Sequence, residues 1–454
     1  MVKREQTKQN KMGVMPIPSL LFNMSVPLML SLLFQSLYNI VDSIFVAKIS
    51  ENALTATTLA YPVQILMVAS SVGTGVGVAA ILSRLIGAKR FDKACEGATV
   101  GLLLSLLTSA VFVVLGMTAV DRFASFFKSN EETRQMCAEY LKICMMFCSG
   151  IFIETLAQRL LQSVGNTFLS MISLVAGALT NIALDPVLIF GLCGFAPMGI
   201  RGAAIATVIG QWLGAAVALF LNLTMNREIH FVKKISFANA AGMAKDIYKV
   251  GFPTMITQAT GSVMNGAMNI ILMPFSQTAV AFFGVYFRLQ NFLFMPMNGL
   301  GQAVLPIVGF NFGSKSKARL KEVLKAAIPA VSVISLLGTV VFLAIPELLL
   351  SLFSASDEMK ALGVPALRII SVSFVFGGIT MLLGYYASGL GNGIINMLGT
   401  AIRQFIVLIP VVILLARMFG IKNVWFAFWI SEIAALTCSL VLFIRTFRSK
   451  LNMI

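Results

Sequence analysis

Four carboxylates sit inside long apolar stretches of this 454-residue chain: Asp42, Glu154, Asp185 and Glu432. A charge held away from water is expensive, and chains keep one mainly where it works. Asp42 lies in QSLYNIVDSIFVA and Asp185 in LTNIALDPVLIFG. Asn181 and Asp185 are four apart and share one face of a helix. Pro186 follows, removes a backbone donor and bends the helix, which frees carbonyl oxygens beside the acid. Two carboxylates, the Asn181 amide oxygen and the hydroxyl of Thr207 (in AIATVIGQ) are a donor set for a hard monovalent cation. The same two acids could instead share a proton, because like charges at close range disfavour double ionisation. Caps and helix-to-helix hydrogen bonds are the plainer alternative for both.

Other polar residues gather near these. Gln35, Tyr38 and Asp42 are spaced by three and four, on one helix face. Glu154 and Gln158 share another. Together they predict a polar patch open to cargo, although Gln35 and Gln158 could equally bond helix to helix. In the second half the charges are Arg288, Arg403 and Glu432, and either arginine could pair with the acid. Asp42 has no acidic counterpart there, so the two halves are unequal.

These residues need elements to hold them. The chain is 58% hydrophobic and only 11% charged, against about 25% charged in a typical soluble domain. Such a composition excludes an ordinary cytosolic enzyme, a disordered chain and a disulfide-stapled secreted scaffold. A bilayer-spanning helix needs about 20 mostly apolar residues. Twelve such stretches are predicted, near 18–47, 53–83, 97–119, 136–158, 168–192, 201–223, 250–275, 280–310, 324–346, 361–386, 394–418 and 424–445. None alternates as a spanning strand would. The expected fold is therefore all-α integral membrane, with twelve transmembrane helices.

The formal net charge is +16, and its distribution is what matters. With the tail and even-numbered connections on one side, that side takes 22 of the 34 Lys and Arg and the other takes 8. Cytoplasmic loops collect such residues. Both termini are thus expected in the cytoplasm, and the charge calls for no nucleic-acid partner. The basic start MVKREQTKQNKMGVMPIP lacks a small-residue cleavage site and reads as a tail.

An internal repeat organises the spans. Shifted by 226 residues, Pro27 meets Pro253, Asn39 meets Asn265, Gln64 meets Gln290, Gly73 meets Gly299, Lys89 meets Lys315 and Gly165-Asn166 meets Gly391-Asn392. The register then slips by five, so that Gly199 meets Gly420. Six spans form one repeat, and an even number keeps the halves parallel. The expected division is a tail (1–17), an N-lobe (18–223), a linker (224–249), a C-lobe (250–445) and a second tail (446–454). Two six-helix lobes around a shared cavity are the architecture of an alternating-access transporter.

Enzymatic signatures are missing from the sequence. There is one histidine (His230, expected to be solvated in the linker), and the six cysteines form no CxxC pair, so zinc and haem are not implied. Gly73–Gly77 (GTGVG) follows no strand and suits close helix packing better than a dinucleotide. No Walker sequence is present, so ATP is not the expected energy source. The 35 Phe and 25 Met suit adaptable contact with apolar cargo.

At this point the chain resembles the multidrug and toxic compound extrusion (MATE) family along nearly its whole length. The resemblance rests on Pro27, Gln35, Tyr38 and Asp42 in span 1, on Asn181, Asp185 and Pro186 in span 5, and on the Gly199, Gly202, Ala203, Ala204, Ala206, Thr207 pattern of span 6. It is closest to the prokaryotic branch with its cation site in the N-lobe. The resemblance implies a non-enzymatic antiporter exporting amphipathic, often cationic compounds in exchange for Na+ or H+. It also implies a cation site of Asp42, Asn181, Asp185 and Thr207, and a bend at Pro27. The acids that another branch carries in spans 7 and 8 have no match here. Beyond the coupling ion no cofactor is implied. The expected partners are the lipid bilayer and the cargo, with a monomer in the cytoplasmic membrane. A flippase for lipid-linked precursors, from the same wider superfamily, is the alternative reading.

Overall fold

The computed structural model describes residues 10–127, 129–232, 235–353 and 355–453. Lys3, Arg4, Lys8, Lys128, Lys233 and Lys234, counted in the charge balance, lie outside these. The described residues form helices and connections, with no strand among them. Among the described residues nine helices are long and apolar enough to cross a bilayer on their own, and two bent pairs bring this to eleven. The twelfth, Phe237–Leu272, is 36 residues long but carries Lys245, Asp246 and Lys249 in its first half.

In chain order the first half contains α1 (Lys11–Val14), α2 (Ile17–Ala47), α3 (Glu51–Gly87), α4 (Phe91–Thr118), α5 (Val120–Ser125), α6 (Glu131–Met146), α7 (Ser149–Ser163), α8 (Thr167–Phe190) and α9 (Ile200–Met225). The second contains α10 (Phe237–Leu272), α11 (Gln277–Gly313), α12 (Lys317–Ala344), α13 (Pro346–Ser351), α14 (Asp357–Ser371), α15 (Phe374–Gly389), α16 (Ile394–Ala401), α17 (Leu408–Phe419) and α18 (Phe426–Asn452). A π-helical turn at Ile402–Ile406 joins α16 to α17.

Two spans expected to be single helices are broken. The fourth bends by 47° between α6 and α7, and the tenth by 48° between α14 and α15. Phe147 and Ser373 stand at these breaks, which the 226-residue shift superimposes to within a residue. The linker is also shorter than expected. Helix α10 begins at Phe237, where the Ala-rich run FANAAGMAK favours helix and Ala240 N–H bonds the Ser236 carbonyl at 2.9 Å.

The chain forms two compact units, and their boundaries differ from lobes cut at 223 and 250. Unit 1 is Met1–Asn10 with Leu30–Met255, and unit 2 is Lys11–Met29 with Ile256–Ile454. Each unit therefore holds the first segment of the other half's leading helix. In unit 2, Gly299 of α11 faces Met29, where an added Cβ would sit 2.8 Å from the Met29 nitrogen. In unit 1 the counterpart Gly73 of α3 faces Gly251 and Met255, with the Gly251 carbonyl 2.7 Å from such a Cβ. The residues of GTGVG thus serve close helix packing. Pro27 and Pro253 lie inside the exchanged helices, and each removes a ladder hydrogen bond near the point where its helix changes unit.

Hydrogen bonds secure the exchanged start of the chain to unit 2. Arg319 donates to the carbonyls of Met12 (3.0 Å) and Met15 (2.7 Å) and to Asn311 Oδ1 (2.9 Å). In unit 1, Asn10 donates to both Glu228 carboxylate oxygens (2.9 and 3.0 Å) and to the Val164 carbonyl. The linker runs back along α4: Val232 N–H bonds Thr99 Oγ1 at 3.0 Å, and His230 Nδ1 lies 3.4 Å from Cys95 Sγ. The His230 residue is exposed, as expected, but it has this partner.

The unit 1 core beneath the site is formed by Ala53, Ala56, Ala60, Tyr140, Leu141, Phe152, Ala203 and Ala204, among others. Alanines dominate because they let helix backbones come close where no hydrophobic drive exists between helices in lipid.

Candidate functional site

Helices α8 and α9 pack most intimately, and glycine is the reason. A Cβ on Gly177 would lie 2.8 Å from the Gly210 carbonyl, and one on Gly210 would lie 2.8 Å from the Gly177 carbonyl and 3.1 Å from Asn181 Cβ. That approach brings Asn181 of α8 to Thr207 of α9. Asn181 Nδ2 lies 3.4 Å from both Asp185 Oδ1 and Thr207 Oγ1. Thr207 in turn donates to the Ala203 carbonyl at 3.0 Å, the usual back-bond of a helical threonine. Asp185 is fully buried and Asn181 nearly so.

Asp42 of α2 completes the group. It is half-buried and close enough to Asp185 for direct electrostatic interaction. Three buried oxygens have no hydrogen-bond partner among the described residues: Asp42 Oδ1, Asn181 Oδ1 and Asp185 Oδ2. Buried acceptors are normally satisfied, and leaving a carboxylate oxygen bare in a low-dielectric interior is costly. Bare acceptors on Asn181 and Asp185 beside a threonine hydroxyl, with the Asp42 carboxylate in electrostatic range, are a donor set that suits a hard cation or a proton. Of the four residues expected to form a cation site, Asn181 lies within reach of Asp185 and Thr207, and Asp42 is within electrostatic range of Asp185.

The remaining predicted residues lie around it. Tyr38 of α2 is half-buried and within electrostatic range of Asp42, Asp185 and Glu154. Gln35 is half-buried on the same helix. Gln158 Nε2 donates to Glu154 Oε1 at 3.1 Å, an i, i+4 bond within α7 that neutralises nothing but orients the carboxylate. Glu154 rests against Gly214 of α9, where an added Cβ would lie 2.7 Å from its Cδ.

Sequence reasoning missed two members. Tyr140 of α6 is buried within electrostatic range of Asp42 and Tyr38, and Gln64 of α3 donates to its hydroxyl at 3.0 Å. A tyrosine in the amphipathic stretch EETRQMCAEYLKICMM carries no sign of its neighbours. Gln64 was visible only as a landmark of the repeat.

In unit 2 the partner of Glu432 is Arg403, with Nε 3.4 Å from Oε1. Arg288 is exposed. Lys142, also near a span, pairs with Asp121 at 2.7 Å on the surface.

Two units of helices, duplicated in sequence and carrying an ionisable cluster buried in one of them, define a polytopic membrane transporter. The sequence pattern of one family, MatE, matches residues 27–187 and again residues 253–414. The two matches begin at Pro27 and Pro253, the same interval that the landmarks revealed. The chain belongs to the MatE family.

Relatives agree over nearly full length. The multidrug export protein MepA of Staphylococcus haemolyticus (strain JCSC1435) is 28% identical over 415 residues, covering 91% of this chain and 90% of that protein. MepA of Staphylococcus aureus (strain MRSA252) is 26% identical over 434 residues, 94% of each. Among solved structures, a MATE protein in its bent conformation superposes with a TM-score of 0.90 at 22% identity, covering 99% of both chains. These likenesses bear out the all-α, two-half, twelve-helix fold.

Proposed function

We propose that this protein is a multidrug efflux antiporter that exports amphipathic, often cationic compounds in exchange for Na+ or H+ by alternating access. The observation that carries the reading is the set of three buried oxygens on Asp42, Asn181 and Asp185 that have no partner among the described residues, with Thr207 beside Asn181. Two carboxylates cannot both stay ionised and uncompensated in an apolar medium. The unit that holds them becomes electrically tolerable when a cation or proton enters, and loading is thereby coupled to conformation. Gln35, Tyr38, Glu154 and Gln158 line the approach as cargo contacts, and Pro27 permits the bend in α2 that couples the two events. The names of the staphylococcal relatives support multidrug cargo. The protein acts as a monomer in the cytoplasmic membrane with both termini inside, consistent with the basic loops.

Efflux of a fluorescent cationic dye from vesicles, with ΔpH and ΔpNa imposed separately, tests the proposal. One gradient should drive transport, and Asp42→Asn or Asp185→Asn should abolish it. Full gradient-driven efflux in either variant would refute the site.

A further inference from the structure

The same helix seam carries a carboxylate in both units, but from opposite sides. In unit 1 Glu154 of α7 rests against Gly214 of α9. In unit 2 Glu432 of α18 rests against Gly377 of α15, where an added Cβ would lie 2.9 and 3.1 Å from its two oxygens. Helices α7 and α15 are the second parts of the two bent spans, and α9 and α18 close the two repeats. The seams are therefore counterparts.

The charge in these two seams is compensated differently. In unit 1 no Lys or Arg among the described residues pairs with Asp42, Glu154 or Asp185. In unit 2 Arg403 lies against Glu432, its guanidinium carbon 5.1 Å from the centre of the Phe294 ring. The 226-residue offset that carries Gly165 onto Gly391 places Arg403 opposite Gly177, one helical turn before Asn181. The π-helical turn Ile402–Ile406 carries Arg403, and such turns recur at functional sites. Both side chains are nearly out of solvent, Arg403 at 13% and Glu432 at 7% exposure. The pairing is incomplete: one contact at 3.4 Å, with Glu432 Oε2 buried and without a partner among the described residues. Besides Arg403, the titratable group facing Glu432 is Tyr286 of α11.

We propose that Arg403 is a tethered cation, occupying in unit 2 the position that an exchangeable cation takes in unit 1, and that Glu432 becomes an exchangeable monovalent-cation or proton site once Arg403 is removed. The inference rests on the reading of Asp42 and Asp185 as the exchangeable site. It confines ion coupling to unit 1. Unit 2 carries its counter-charge permanently and goes through the cycle without loading or unloading an ion.

The test uses the purified full-length protein in detergent and reads its melting temperature against added Na+ and against pH. The wild type responds through unit 1, and Asp42→Asn silences that response. Adding Arg403→Leu should restore one, a rise of roughly 3 °C at a hundredfold excess of ion over its dissociation constant. Glu432→Gln in that double variant should remove it again, and Arg403→Lys in place of Leu should remain silent because the tether survives. The proposal is overturned if the Asp42→Asn, Arg403→Leu protein answers to neither ion, or if its response survives Glu432→Gln. It is equally overturned if Arg403→Leu fails to fold even in acid, where a protonated Glu432 should be tolerated. An Asp42→Asn protein that keeps the wild-type response refutes the unit 1 site instead. Arg403 is then judged by whether Glu432→Gln removes the increment that Arg403→Leu adds.

Discussion

Replacing Gly210 by Ala tests whether the α8–α9 approach builds the cation site. The new methyl group would lie 2.8 Å from the Gly177 carbonyl oxygen and 3.1 Å from Asn181 Cβ. The first obstacle is backbone, which has no rotamer to yield, and ordinary contact needs about 0.6 Å more. The helices must separate by that amount or strain in place, at about 1–3 kcal/mol. Opposing this, Ala is favoured over Gly in a helix by about 1 kcal/mol, so the clash should prevail by a modest margin. The functional effect should be larger than the stability effect. Asn181 Nδ2 and Thr207 Oγ1 are already 3.4 Å apart, and a further 0.6 Å or so takes them beyond hydrogen-bond range. Melting temperature should fall by roughly 1–2 °C. Ion-driven dye efflux should drop about tenfold or more, since 1.4 kcal/mol of lost site stabilisation is one decade. The experiment pairs a thermal melt in detergent with vesicle efflux, and Gly177→Ala should behave alike because its Cβ meets the reciprocal carbonyl. A Gly210→Ala protein that melts higher and transports normally would refute the close-approach argument.

Other expectations follow from local geometry. Lys89 and Lys315 hold left-handed backbone (φ 57° and 59°) at the equivalent turns after α3 and α11. Replacing either by Gly relieves about 1–2 kcal/mol of strain and returns part of it as chain entropy, so the melting temperature should rise by a few degrees. Gly165→Ala and Gly391→Ala, at φ 90° and 84°, should lower it. In the linker, burial pushes the Glu228 carboxyl above its ordinary range, with the hydrogen bonds from Asn10 opposing. The folded protein therefore binds more proton there than the unfolded chain, and stability falls as pH rises from about 4.3 through the raised value. Glu228→Gln keeps an acceptor for Asn10 and should flatten that part of the pH–melting curve. An unchanged curve would exclude Glu228 as its source.

The amino-acid sequence by itself determined the elements and the chemistry. Length and apolarity mark where helices must lie, since a backbone in lipid has to satisfy its own hydrogen bonds. The expense of intramembrane charge singles out Asp42 and Asp185, and the i, i+4 rule places Asn181 on the same face as Asp185. The 226-residue repeat was legible because packing glycines and turn residues recur with it. Only the tertiary structure decided which oxygens lack partners, that Tyr140, held by Gln64, comes within electrostatic range of Asp42, and that Arg403 rather than Arg288 meets Glu432. It also decided that each unit takes in the opening segment of the other half's first helix, so that the lobes are not continuous stretches of chain. The physical reason is common to all of these. Periodicity assigns a residue to a face of its own helix. Which face of another helix it meets depends on how closely the backbones pass, and at Gly177, Gly210 and Gly377 that distance is set by the absence of a side chain.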